Sequence, residues 1–268
     1  MNTSQGERGA PAGPRLRRIQ EAIARALGAH LPGGVRTGEL DRGGRTLRWV
    51  EAGRGGVAPV GLIAGCGSTA PGWSAVPPEL VRCGRDAAYD RAGLGASEPE
   101  HATVPTSDGQ LADLDALVRH LNAGPAILVG HSWGGRPARL LAWRRPEPVA
   151  GLVLVDPAYE EFQPRSVRVA EAALTRPWLC RAALPRAVPS RNALYRAALS
   201  RKALSRAALS PTAIEPDEPL DRAETAVIAH RHQRRAILAE QRLTATAVPE
   251  IRRHRAEAPP RPRCRRRS

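Results

Sequence analysis

The segment PAILVGHSWGG, residues 125–135, decides the fold of this chain. It begins with an apolar run typical of a buried parallel strand and continues into G-x-S-x-G with Ser132 at the centre. The following stretch, 133–149, has apolar residues at helical spacing up to Pro146. A tight strand-to-helix turn exposes a serine hydroxyl above the sheet edge and directs helix N-terminal amides at an attacked carbonyl. The pattern predicts a nucleophilic serine, although the five residues alone also occur by chance in plain strand–turn–helix corners.

Strands and helices alternate on both sides of this segment. Each predicted strand is an apolar or alternating run, and together they cover 47–51, 58–65, 86–90, 125–132 and 150–156. The stretches between them that can form helices are 73–83, 106–124 and 133–149. This alternation predicts an α/β fold in which a mostly parallel sheet carries helices on both faces.

The remaining segments differ in character and define the expected domain organisation. Residues 1–36 form a polar extension around one amphipathic surface helix, and 37–159 form the α/β core. Residues 160–247 are rich in Ala, Leu and Arg and lack a convincing strand, so we expect a helical cap over the sheet. Residues 248–268 form a basic tail rich in Arg and Pro that we expect to be disordered.

Four segments in order resemble the α/β-hydrolases, specifically the serine-nucleophile branch with a helical cap. They are LIAGCGST (62–69), YDRAGLGASEP (89–99), LVGHSWGG (128–135) and GLVLVDPA (151–158). The first has Ala-Gly where the family has His-Gly, and the second is close to the family's D-x-x-G-x-G-x-S turn. The resemblance implies a serine hydrolase acting on an ester, amide or related acyl substrate. A serine at this position argues against the epoxide-opening and dehalogenating branches, which use aspartate there.

The resemblance also implies roles for individual residues. Ser132 corresponds to the nucleophile, and the backbone amide of Trp133 to one donor of the oxyanion hole. The backbone of Cys66 corresponds to the second donor, so its thiol is not implicated. An equally plausible interpretation is that Cys66 is only a small residue in a glycine turn.

The acid and base are less well defined. Asp156 follows the strand after the nucleophile, where some relatives have the catalytic acid, but it could instead cap the chain as it leaves the strand. His230 follows ETAVIA, which could be a last strand and would make His230 the base; the flanking residues nevertheless continue at helical spacing. His254 is a further candidate. His131 inside the turn and His120 on the preceding helix are interpreted as non-catalytic.

The C-terminal residues depart from the family pattern. Two final strand–helix units need about 60 residues, whereas 21 follow position 247, and these have no apolar run and no G-x-G-H turn. Their composition resembles an out-of-frame reading of GC-rich DNA. We therefore expect a truncated or frameshifted chain whose catalytic competence is in doubt, and an inactive hydrolase-like protein or pseudogene product is the alternative.

Composition excludes some classes of protein and sets the expected partners. With 41 basic and 26 acidic residues, the net charge of +15 raises the option of a nucleic-acid or anionic-surface binder. Aromatic residues make up only 3% and no nucleic-acid motif is present, so we expect a small-molecule acyl substrate and no nucleic acid. No run is long enough for a membrane span, and four scattered cysteines fit a cytoplasmic protein. No cofactor or metal is expected, and the sequence does not predict the oligomeric state.

Overall fold

The structure, a computed structural model, describes residues 14–29, 31, 33–56, 58–99, 105–121, 124–157, 231–246, 253, 256 and 257. The strands are β1 (Arg36–Asp41), β2 (Thr46–Ala52), β3 (Val60–Ile63), β4 (Asp86–Asp90), β5 (Ala126–His131) and β6 (Val149–Val155). The helices are α1 (Pro14–Gly28), α2 (Pro77–Leu80), α3 (Ser107–Leu121), α4 (Gly135–Arg144) and α5 (Arg231–Thr246). Short 3₁₀ turns lie at Ala70–Trp73 and Ser132–Gly134.

The six strands form one sheet in the order β1-β2-β4-β3-β5-β6. The pairs β1–β2 and β2–β4 are antiparallel, whereas β4–β3, β3–β5 and β5–β6 are parallel. The four parallel strands therefore end at the same edge of the sheet, which is where ligands bind in open α/β folds. The predicted α/β class and mostly parallel sheet are confirmed.

Apolar side chains cover both faces of the sheet, because successive residues of a strand point to opposite sides. In β3, Leu62 packs with Ile23 and Leu27 of α1, while the next residue, Ile63, packs on the other face with α3 and α4. In β4, Ala88 belongs to the α1 face. The predicted surface helix in the N-terminal segment thus buries its inner side on the core.

The turn after β4 is held by the residues of its D-x-x-G-x-G-x-S motif. The Asp90 carboxylate accepts hydrogen bonds from the amides of Ala70 at 2.8 Å and Ala96 at 2.9 Å. A β-carbon on Gly95 would lie 2.0 Å from that carboxylate, so only glycine fits. Ser97 donates to the carbonyl oxygen of Asp90 at 2.6 Å. The motif is accounted for by the architecture of the turn.

Three sequence-based expectations about the core were wrong. The stretch 73–83 does not form one helix; its helical part is the single turn of α2, whose first two residues are the prolines Pro77 and Pro78. β1 was not predicted, because it is polar and mostly exposed. The apolar run at 150–156 is typical of a buried strand, yet in β6 Leu152, Val153 and Val155 are 36%, 47% and 43% exposed. It is the end strand of the sheet and pairs only with β5 among the described residues.

Much of the predicted cap and nearly all of the predicted tail lie outside the described residues. Within 160–247 the structure describes only α5. Three consecutive five-residue units, RAALS, RKALS and RAALS at 196–210, also lie outside the described residues. No helix in the described ranges has the length and apolar character needed to cross a membrane.

Candidate active site

Ser132 stands at the corner between β5 and α4, at the edge where the parallel strands end. Its φ of 49° places it in the left-handed region, one of two non-glycine residues there within the described ranges. Such a conformation costs free energy on the order of 1 to 3 kcal/mol and persists only where the surroundings impose it. The prediction that Ser132 occupies a tight strand-to-helix turn is confirmed, and the backbone of this turn is strained.

The glycines around Ser132 allow the corner to close. A β-carbon on Gly130 would lie 2.6 Å from the α-carbon of Gly135, and one on Gly134 would lie 2.1 Å from the carbonyl oxygen of Ile63. Both contacts involve backbone atoms, which side-chain rotation cannot relieve. The small residues of G-x-S-x-G are therefore required sterically.

The loop after β3 contains Cys66, one of the two predicted oxyanion residues, and lies against the serine. A β-carbon on Gly65 would be 3.3 Å from Cβ of Ser132, so the two backbones are close. Cys66 is the next residue and is exposed. Trp133 begins the turn into α4 and is 1% exposed, with the Arg136 guanidinium 4.8 Å from its ring centroid. The structure thus brings Ser132, Cys66 and Trp133 to one place.

Two histidines predicted to be non-catalytic have described side chains. His120 is exposed on α3, and its ring contacts Trp49 edge-on at a centroid distance of 5.3 Å. The His131 ring packs edge-on against Trp73, with centroids 6.3 Å apart. Burial lowers the pKa of His131, and the Asp156 carboxylate only partly opposes this effect. Among the side chains that the structure describes, no histidine hydrogen-bonds to the Ser132 hydroxyl.

The predicted acid lies near this corner, whereas the predicted base lies outside the described residues. Asp156 directly follows β6, is exposed and has a φ of 42°. Since His131 and Val155 are register partners, Asp156 and Ser132 leave adjacent strands side by side. His230 and His254 lie outside the described residues, so their placement stays a prediction.

Helix α5 crosses the loops at this edge. A β-carbon on Gly67 would lie 2.9 Å from Cγ1 of Ile237, and one on Gly93 would lie 2.9 Å from Cβ of Ala236. Farther along the helix, Leu243 packs against Trp133. The helix therefore contacts the segments that follow β3, β4 and β5.

A buried ion pair that the sequence did not reveal joins α5 to these loops. Nε of Arg91 donates to Oε1 of Glu240 at 2.5 Å, and the two side chains are 2% and 3% exposed. Burial alone would lower the pKa of the Arg91 guanidinium, but the Glu240 carboxylate outweighs this effect and raises it above the ordinary value. Arg91 lies in a motif that could have drawn attention to it. Glu240 is an ordinary acidic residue in a basic helix and gave no such signal.

The sequence of this chain matches the family model described as the alpha/beta hydrolase fold over residues 59–224. The match takes in the strand before the Gly65 loop, the D-x-x-G-x-G-x-S turn and the Ser132 corner. The chain belongs to the α/β-hydrolase family.

Curated relatives and solved structures agree with this assignment. The chain is 40% identical over 84 residues to the lipase LipV of Mycobacterium tuberculosis, covering 31% of this chain and 32% of that one. It is 33% identical over 147 residues to a dihydrolipoyllysine-residue acetyltransferase component of an acetoin cleaving system from Pseudomonas putida, covering 53% and 38%. The chain thus matches about a third of the length of these relatives.

Solved structures support the fold alone, because their sequence identity is low. A haloalkane dehalogenase loop variant from Bradyrhizobium elkanii superposes with a TM-score of 0.60 at 22% identity, covering 82% of this chain and 73% of that one. An epoxide hydrolase without ligand gives 0.59 at 21% identity, covering 81% and 75%.

Proposed function

We propose that this chain is a serine hydrolase that cleaves an ester, amide or related acyl bond through Ser132. The observation that carries the proposal is the left-handed backbone of Ser132 at a glycine-lined corner above the parallel strands. A strained, sterically enforced serine at the ligand-binding edge of an α/β sheet is the arrangement expected of an exposed nucleophile. The partial match to a lipase supports an acyl substrate.

In the proposed reaction, Oγ of Ser132 attacks the acyl carbon and the carbonyl oxygen becomes an oxyanion. The amide of Trp133 at the start of the α4 turn and the amide of Cys66 are the proposed donors to that oxygen. Preorganised amides of this kind stabilise the developing charge without reorganisation, and each is worth about 10²- to 10³-fold in rate. The tetrahedral intermediate then expels the alcohol or amine, and water releases the acyl group from Ser132.

Attack requires a base, because an unassisted serine hydroxyl is a weak nucleophile near neutral pH. We propose His230 as the base and Asp156 as the acid, with His254 as the next histidine to test. Asp156 is supported by its place beside the serine corner at the end of β6. We also propose a small-molecule acyl substrate, on the basis of the family, and a cytoplasmic protein, on the basis of the scattered cysteines.

The test combines covalent labelling with ester hydrolysis. Residues 1–268 would be treated with a fluorophosphonate probe, the labelled peptide identified by mass spectrometry, and hydrolysis of p-nitrophenyl butyrate measured. If a base lies within these residues, we expect labelling at Ser132 and a loss of turnover in Ser132→Ala approaching the roughly 10⁶-fold seen when a triad serine is removed. Ser74→Ala, a substitution of the same kind outside the corner, should behave as the unchanged chain does.

Each other outcome identifies a different failure. No labelling and no turnover by the unchanged chain would refute the proposal and favour an inactive hydrolase-like protein. Turnover that survives Ser132→Ala would place the nucleophile elsewhere. In an active chain, His230→Ala and His254→Ala then identify the base, since only the true base should match the loss in Ser132→Ala.

A further inference from the structure

The loop carrying Cys66 is held at both of its flanking residues. On one side, Arg91 donates from Nη2 to the carbonyl oxygen of Gly65 at 2.7 Å. On the other, the amide of Gly67 donates to Oε2 of Glu240 at 2.9 Å. The residue between these two hydrogen bonds is the proposed second donor to the oxyanion. The direction of its amide therefore depends on both anchors.

The two anchors are also joined to each other. Nε and Nη2 of Arg91 donate to the two carboxylate oxygens of Glu240 at 2.5 and 2.9 Å, which is a bidentate pair. Gln110 of α3 donates to the same carboxylate at 3.2 Å. Charge-assisted bidentate bonds are stronger and geometrically more specific than neutral ones. The loop is thus attached to one rigid, buried network.

The network reaches the loop from a distant part of the chain. Glu240 lies on α5, and Ile237 of the same helix lies over Gly67, where an added β-carbon would be 2.9 Å from Cγ1 of Ile237. Any movement of α5 away from the sheet would break the hydrogen bond to Gly67 and leave Arg91 without its carboxylate. Correct loop geometry therefore requires a docked α5.

We propose that Glu240 is a positioning residue for the oxyanion hole: through Gly67 and Arg91 it fixes the loop that presents the Cys66 amide to the substrate. This inference rests on the proposed function, since it assigns a role within the same site. Glu240 itself touches no reacting atom in this account. Its effect is expected on the transition state, where the oxyanion forms, more than on substrate binding.

Glu240→Asp is the variant that isolates this role. It keeps the negative charge that Arg91 needs but is shorter by one methylene, so it cannot hold Arg91 and Gly67 at the same time. Glu240→Gln is less informative, because leaving Arg91 as an uncompensated buried charge can unfold the protein. Arg235→Gln is the matched control, since Arg235 lies on the same helix with an exposed side chain.

Two measurements test the proposal on the full chain. Steady-state hydrolysis should show kcat about tenfold lower in Glu240→Asp with KM changed less than about twofold, because a loosened donor costs part of the 10²- to 10³-fold worth of an oxyanion contact. Hydrogen–deuterium exchange should be faster in the peptide covering residues 64–69 of Glu240→Asp and unchanged in Arg235→Gln. Exchange does not depend on catalysis, so it reports the loop directly.

The outcomes separate this inference from the proposed function. An active unchanged chain with an equally active Glu240→Asp variant would overturn the positioning role and leave the serine hydrolase assignment intact. Unchanged exchange over residues 64–69 would overturn it as well. Absence of Ser132 labelling in the unchanged chain would overturn the proposed function, and the positioning role with it, before any Glu240 variant is compared.

Discussion

Replacing Gly134 by alanine should destabilise the protein even though the local backbone favours alanine. Gly134 has φ −61° and ψ −22°, ordinary helical values at which alanine is preferred to glycine by about 1 kcal/mol. The added β-carbon would lie 2.1 Å from the carbonyl oxygen of Ile63 and 2.5 Å from that of Ala64. Overpacking a core costs about 1 to 3 kcal/mol, and we expect a cost of about 3 kcal/mol here because both contacts are with fixed backbone oxygens. The helical preference for alanine offsets about 1 kcal/mol of this cost. We expect a net loss of about 2 kcal/mol.

The assay is urea denaturation of Gly134→Ala beside the unchanged protein, followed by fluorescence. Gly151→Ala is the matched control, because a β-carbon there would meet only Ile127 atoms at 3.7 and 3.9 Å. The free energy of unfolding of Gly151→Ala should be unchanged or higher by about 0.5 kcal/mol, because alanine loses less conformational entropy on folding than glycine does. If Gly134→Ala were as stable as Gly151→Ala, the contact between the serine corner and β3 would not be tight. The steric account of the G-x-S-x-G motif would then be wrong.

Two further predictions concern the sheet itself. Burial and the nearby Glu51 raise the pKa of Asp86 to about 7, so the folded chain keeps this proton at pH values where the unfolded chain has lost it. The contribution of Asp86 to stability should therefore be greatest below about pH 4 and decline as the pH rises to about 7, and urea titrations at several pH values should show a smaller decline over this range in Asp86→Asn than in the unchanged chain. Leu128 and Leu152 are register partners on β5 and β6, with exposures of 0% and 36%. Leu128→Ala should lower the free energy of unfolding by about 2 to 5 kcal/mol and Leu152→Ala by less than about 1 kcal/mol. Equal losses would show that β6 is covered in solution.

The sequence predicted the parts of the fold that depend on local pattern. Each of the strands β3, β5 and β6 is recognisable from its own short apolar run. The glycines around Ser132 lie at the end of β5 and directly after it. A strand followed by a glycine-rich corner is recognisable without knowing what packs against it. The serine corner was therefore predictable in both place and conformation.

Features that depend on a distant partner were not predictable. Glu240 acquires its place through a hydrogen bond to a residue 173 positions away, and no local pattern marks it. β1 is polar and exposed, so its pairing with β2 gives no apolar alternation. The exposure of β6 depends on what lies beyond its outer edge, whereas its sequence indicates only that it is apolar.

The left-handed backbone of Ser132 also limits which amino acids could replace it. Threonine would keep the hydroxyl, but a β-branched residue in this region of φ is a strong steric outlier. Aspartate enters the same region several-fold more readily, because its short polar side chain can hydrogen-bond to the local backbone. At this corner the chemically conservative exchange of serine for threonine is the one that the backbone opposes. The exchange of a hydroxyl for a carboxylate, which changes the reaction, is the one that it permits.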